Sequence, residues 1–405
     1  MIKANRFTVM LAGVCSLVVC MGLGRYAFTP MIPVMGEQAG LTESAAGWLA
    51  GWGYIGYLAG LFVVWLISNT KVKDFFFRYA LFVAVIATAV MATHEHMLVW
   101  GASRFFAGTA AAAGFLFGAG LIINWLHHKG HPVRMGMYFC GLGLGIVLSG
   151  LTTEILVSVF DLHYRLMWVV MAVAAFIPLA LAQFLMPLPH YEQEDTGNTT
   201  VEQNEQLIPS VRWVWLLQAA YFCAGFSNTM NATFTSLIAE LQPLPDFGAK
   251  AWLFVGLAAT PAPLIWEALA RRISYLDALL AAFFLNAVGN LIMIGVPTLT
   301  GTIVASLLFG FSFMGIVSLT LAIVGRRYLG DASQIMARLT LGYCIAQILS
   351  PILSGIVAEK TGSFALPIIV VAGLMFAGLM LLLLLRREDT FRSGKPFFAR
   401  PEISG

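Results

Sequence analysis

One arginine poses the chemical question. Residues 7–35 form a long apolar run whose only charge is Arg25. A guanidinium in such a setting costs about 3 kcal/mol on insertion scales unless it meets water, a partner or an anion. It carries five N–H donors and no acceptor, so it can cap free carbonyls or grip a carboxylate through two parallel bonds. Both roles are open here. Pro30 and Pro33 each remove a backbone N–H and so free carbonyls close by. Arg25 either donates to those carbonyls or, with Tyr26 beside it, faces a polar cavity and binds an anionic group.

Two further charges lie inside apolar runs. Arg104 stands in RFFAGTAAAAG, and Glu154 falls in the next run, which must travel back the other way. Their distances from the same membrane surface are similar, so the two are expected to meet. The pair is either a fixed brace or a coupling site in which Glu154 gains and loses a proton with Arg104 as its partner. The later part of the chain supplies neutral groups instead. Asn228 and Asn231 are three residues apart, while Tyr343 and Gln347 are four apart and one turn before Pro351. At helical spacing each pair shares a face and could line a cavity. Asn286 and Asn290, also four apart, read better as glue between helices. No catalytic residue is expected, because serine-nucleophile, P-loop and zincin patterns are missing. His127, His128 and His131 sit beside Lys129 and Arg134, and read as solvated, headgroup-facing residues rather than metal ligands. No metal site and no cofactor is called for; a proton gradient would supply the energy.

The elements that position these groups follow from composition. The chain has 405 residues, 59% hydrophobic and only 11% charged. Soluble domains carry about 25% charge, so this chain buries its apolar surface in a lipid bilayer. Apolar runs of spanning length are expected at 7–35, 45–67, 75–93, 97–126, 134–159, 166–186, 212–239, 250–270, 276–296, 301–325, 334–358 and 364–386. No alternating pattern suggests a β-barrel. Between the sixth and seventh runs, Pro187–Ser210 is acidic and nearly free of apolar residues, which marks a linker too polar to fold alone. The fold class is therefore an all-α membrane protein of twelve helices. Six lie in a bundle over residues 1–187 and six in a second bundle over 212–405, which ends in a short basic tail.

Basic residues give the orientation. With a cytoplasmic N-terminus, seventeen of the 23 Lys and Arg fall on the cytoplasmic side, three outside, and three (Arg25, Arg104, Arg338) within helices. That asymmetry puts both termini in the cytoplasm, in what is expected to be a bacterial inner membrane. Basic residues used as topological anchors do not imply a nucleic-acid partner. The run from Phe7 onward is too long for the apolar core of a signal peptide, so the first helix is expected to stay in the membrane. Five cysteines in apolar runs read as packed thiols. Gly56-xxx-Gly60, Gly114-xxx-Gly118 and Gly141-xxx-Gly145 are notches that let helices touch.

Several runs carry a family likeness. RFFAG at Arg104–Gly108 is similar to the fourth-helix motif of the major facilitator superfamily. Leu23–Met35, Trp252–Ile273 and Tyr343–Gly355 resemble the YbfB/YjiJ-type branch of that superfamily, and the likeness covers essentially the whole chain. It implies two six-helix halves rocking around a midplane site, in a monomeric secondary transporter of a small-molecule solute. Arg25, Tyr26, Asn228, Asn231, Tyr343 and Gln347 would then face the solute, with Arg104 and Glu154 serving coupling or gating. Two cationic groups in the first half favour an organic anion. Multidrug or metabolite efflux is the alternative within the class, and a non-transporting sensor or scaffold the alternative outside it. Two departures stand out. Ser68–Arg78 reads SNTKVKDFFFR where the superfamily has its Gly-x-x-x-Asp-x-x-Gly-Arg gate motif, and Ser149-Gly150 replaces the Gly-Pro pair of proton antiporters.

Overall fold

The computed structural model describes residues 5–67, 69–131, 135–188, 211–242, 247–327 and 332–393, with backbone alone for 325–327, 332–338 and 389–393. Its helices form twelve runs: α1 (Arg6–Ala39), α2 (Glu43–Leu66), α3 (Thr70–Val90), α4 (Met97–His128), α5 (Gly136–Ser158), α6 (Tyr164–Leu185), α7 (Val211–Glu240), α8 (Gly248–Ala259 and Ala262–Arg272), α9 (Tyr275–Gly295), α10 (Leu299–Arg327), α11 (Ala332–Thr361) and α12 (Ala365–Ser393). Among the described residues, nine are long and apolar enough to cross a bilayer, or ten with α8 taken as one bent span. The other two are α3 and α7. The first turns of α3 are crowded by Lys71, Lys73, Asp74 and Arg78; α7 carries Gln218, Ser227, Asn228, Asn231 and several threonines. The polar residues that lower the hydropathy of α7 are the ones that make it chemically interesting. From residue 189 onward the expected linker lies outside the described residues.

Two helices depart from the simple spans that composition suggests. α1 is not regular: Val18–Tyr26 winds as a π-helix before α-geometry resumes at Phe28. Pro30 has no N–H for the carbonyl four residues back, and its ring crowds that carbonyl. A locally wider turn is one way for a helix to absorb this. α1 also runs past Met35 and ends at Gly40, which takes the left-handed conformation (φ 65°) that closes a helix without strain. α8 bends by 41° at Thr260-Pro261, where Pro261 and Pro263 interrupt the backbone ladder.

Packing is set by glycine. Gly56 and Gly60 of α2 lie against Phe105 and Thr109 of α4, while Gly141 and Gly145 of α5 lie against Val14 and Gly22 of α1. At Gly22 and Gly145 the two backbones meet so closely that a methyl on either would enter the other helix. Without a hydrophobic force between helices in lipid, such contact supplies the attraction. α1 is the hub of the first half and packs on α3, α4, α5 and α6. α7 has that role in the second half, packing on α8, α10, α11 and α12. The halves meet where α2 touches α11, α5 touches α8 and α1 touches α7.

Candidate functional site

Arg25 sits in the π-helical stretch of α1. A change of register along a helix leaves carbonyls to be satisfied from outside it. Arg104 of α4 does this: its Nη1 donates to the Gly24 carbonyl at 3.0 Å and its Nη2 to the Arg25 carbonyl at 2.7 Å. Arg104 is 3% exposed, and its guanidinium lies 4.9 Å from the centre of the Phe28 ring. Of the two roles open to a buried guanidinium here, carbonyl capping thus falls to Arg104 and not to Arg25.

Arg25 is held in a box of rings. Its guanidinium carbon is 4.4 Å from the Tyr57 ring centre, 4.5 Å from Tyr54 and 5.5 Å from Tyr26. The negative face of each ring attracts the cation. The side chain is 6% exposed, and Nη1 makes a weak bond to the Met21 sulfur at 3.9 Å. Nη2 of Arg25 and Nε of Arg104 have no hydrogen-bond partner. Among the described residues no carboxylate lies within ion-pair distance of either arginine. Arg104 donates to the backbone of Arg25 itself and lines the same cavity, so two like charges are neighbours here. That cavity is small, ≈ 20 Å³, room for about one water, and is lined also by Tyr54, Thr29, Gly53 and Thr233. A buried donor left without an acceptor costs about 1–3 kcal/mol, and more when charged. Two buried donors are thus left open at one cavity.

Across the seam the second half presents Tyr343, buried on α11 and packed on Gly225 of α7. Tyr343 stacks on Tyr221 with ring centres 4.3 Å apart, and its hydroxyl accepts from Asn228 at 3.3 Å. Asn228 and Asn231 indeed share a face, but both are drawn into a closed network. Asn286 donates to Asn228 at 3.1 Å and to Ser312 at 3.1 Å, and Asn231 donates to Asn290 at 2.8 Å. Ser227 bridges Asn286 and Asn290 at 3.0 and 3.1 Å. The network ties α7 to α9 and α10, so Asn286 and Asn290 join helices as their spacing suggests. Gln347 is nearly buried on α11, one turn beyond Tyr343.

Glu154 does not meet Arg104. Its carboxylate pairs with Lys250 of α8 at 3.2 Å and accepts from Ser158 at 2.7 Å. Equal depth was not enough, because Arg104 reaches sideways into the backbone of α1 while Glu154 faces the α5–α8 seam. That seam continues inward through Trp252, whose Nε1 donates to Ser149 at 3.2 Å, and through Gly143, packed on Thr260. On the same face of the bundle, Glu359 of α11 accepts from Thr42 and from the Ser44 backbone, each at 3.0 Å. Thr29 donates to the Ala232 carbonyl, closing α1 on α7. The halves are therefore latched at the face opposite the chain termini. In the departed gate segment, Arg78 pairs with Asp74 at 3.0 Å and donates to the carbonyls of Gln183 and Met186, linking α3 to α6. Sequence reasoning missed Tyr54, Tyr57 and Lys250. The signal for the tyrosines was present, since three residues apart they share a face of α2.

Comparison with known proteins fits this geometry. A family profile described as "Uncharacterised MFS-type transporter YbfB" matches residues 17–383. No curated protein matches in sequence. Similar solved structures include a point mutant of the nucleoside transporter NupG (TM-score 0.70, 12% identity, 94% of this chain and 100% of that one) and NupG itself (TM-score 0.70, 13% identity, 93% and 98%). At that identity the likeness shows the fold. With the profile spanning most of its length, the chain belongs to the YbfB-type family of major facilitator transporters and is an integral, multi-pass membrane protein built as a secondary transporter.

Proposed function

We propose that this protein moves a small organic anion by alternating access, with Arg25 as the group that holds the anion's charge. One observation carries the reading: Arg25 is buried, boxed by three tyrosines, lacks a partner at Nη2 and has no carboxylate among the described residues to neutralise it. A fixed cation kept this way in a membrane protein is a functional expense with one natural return, the capture of an anion. Seventeen of the 23 Lys and Arg on one side support cytoplasmic termini. The latched face is then external, and Glu154–Lys250 is part of the closure. In this reading Glu154 still serves proton coupling, with Lys250 rather than Arg104 as its partner. Rocking the halves apart separates a pair that spans them, and the freed carboxylate can then exchange a proton with water.

The test uses purified protein in proteoliposomes. Uptake of organic acids should respond to an imposed pH gradient, and Glu154→Gln should lose that response while keeping solute exchange between equal compartments. A Glu154→Gln protein that still accumulates solute with the gradient removes Glu154 from coupling. Transport of cationic drugs but no acids would favour the efflux reading, and stable protein that moves no solute would favour a sensor.

A further inference from the structure

We infer that Arg25 and Arg104 together form one anion subsite, flanked by Gly53, so that Arg104 is a binding residue and not a gate. The inference rests on the anion reading above and deepens it. Both side chains are more than nine-tenths buried, both line the same cavity, and each keeps one donor unmet: Nη2 of Arg25 and Nε of Arg104. The remaining donors are fixed in place. Arg104 is tied to two carbonyls of α1, and Arg25 is clamped between Tyr54 and Tyr57. Two rigid guanidinium edges with mutual repulsion are stabilised by a planar anion between them, since one carboxylate can accept from both.

Gly53 lies beside the free edge of Arg104. A Cβ there would stand 3.9 Å from Nε and 3.8 Å from Nη2 of Arg104, with the Arg104 carbonyl at 3.6 Å. These are ordinary contacts, so alanine fits without distortion, yet its methyl occupies the space over the free edge. The ligand class that matches is a small carboxylate with its charge at one end. The rest of such a solute would extend toward Thr29 and Thr233 of the cavity wall.

The experiment measures melting temperature in detergent against acetate, benzoate, malonate, sulfate and phosphate at matched ionic strength, with glycerol as a neutral control. The wild type is expected to be stabilised by at least one carboxylate in a saturable manner. Gly53→Ala should keep the unliganded melting temperature and bind that carboxylate about tenfold more weakly. Arg104→Lys keeps the charge but has no Nε donor, and should weaken binding at least as much. Arg25→Gln should abolish the shift. If Arg25→Gln loses the shift while Gly53→Ala and Arg104→Lys keep wild-type affinity, the anion sits on Arg25 alone and the two-arginine subsite is overturned, with the proposed function intact. If no anion shifts the wild type, both readings fail together.

Discussion

In the first half of the molecule, Arg25 and Arg104 bury two positive charges with a donor left over on each. In the second, Ser227, Asn228, Asn231, Asn286, Asn290 and Ser312 bury a comparable number of polar groups, but these hydrogen-bond to one another. The two halves have thus met the same lipid problem in opposite ways. A neutral amide cluster that closes on itself stiffens a bundle and asks nothing of a ligand. A cationic cluster with open donors is incomplete until something anionic arrives. In the proposed reading the asymmetry gives charge recognition to the first half and framework to the second.

The contrast can be broken most forcefully at Arg25. Arg25→Gln should lower apparent affinity for the transported anion by about 10- to 100-fold, the value of a charged hydrogen bond. Arg25→Lys should fall between, because it keeps the charge and loses the fork. Equilibrium binding to purified protein reads both. Next comes the latch. Lys250→Gln removes one partner of an ion pair that spans the halves, and should harm solute exchange between equal compartments more than Lys250→Gln with Glu154→Gln together, since the single change strands a carboxylate. Equal loss in the single and double variants would mean that the pair is too solvated to matter.

Asn286→Ala probes the framework. It removes bonds to Asn228 and Ser312, and should cost about 1–2 kcal/mol of stability. The melting temperature should drop while the preference for anions over neutral solutes stays as it was. A change in that preference would erase the proposed division of labour. The smallest effect is expected at the membrane surface, where Glu95 accepts from the Tyr164 hydroxyl and from Arg165, each at 2.9 Å. These hydrogen bonds, the tyrosine first, hold the Glu95 carboxyl below its ordinary range. A lowered folded value stabilises the protein above the unfolded carboxylate pKa, and the benefit fades as pH falls through the folded value. Glu95→Gln should therefore flatten the acid limb of melting temperature against pH and change little at neutrality.

Most of the fold was readable because lipid imposes few solutions: long apolar runs, glycine notches and a basic bias are each dictated by the bilayer. What escaped depended on direction around a helix axis relative to other helices, which spacing along the chain does not give. Similar distances from a helix end suggested that Arg104 and Glu154 would meet, yet their side chains leave in different directions, one to the carbonyls of α1 and one to Lys250. The prolines of α1 announced a weak helix but not where it would yield; the π-helical stretch lies upstream of Pro30. Tyr54 and Tyr57 had the right spacing and no charge to draw attention. Their role appears only once Arg25 lies over them.

The central claim is that the substrate's negative charge is held by Arg25. Charge-sensitive recording from proteoliposomes adsorbed on a solid-supported membrane tests it directly, with pulses of organic acids, their neutral amides and organic cations. The account predicts a transient current for at least one organic acid in the wild type, none for its amide, and, in Arg25→Gln protein that is folded and reconstituted to the same level, a current only at about 10- to 100-fold higher acid concentration. A current of wild-type size in Arg25→Gln, or currents only for cations, would contradict it.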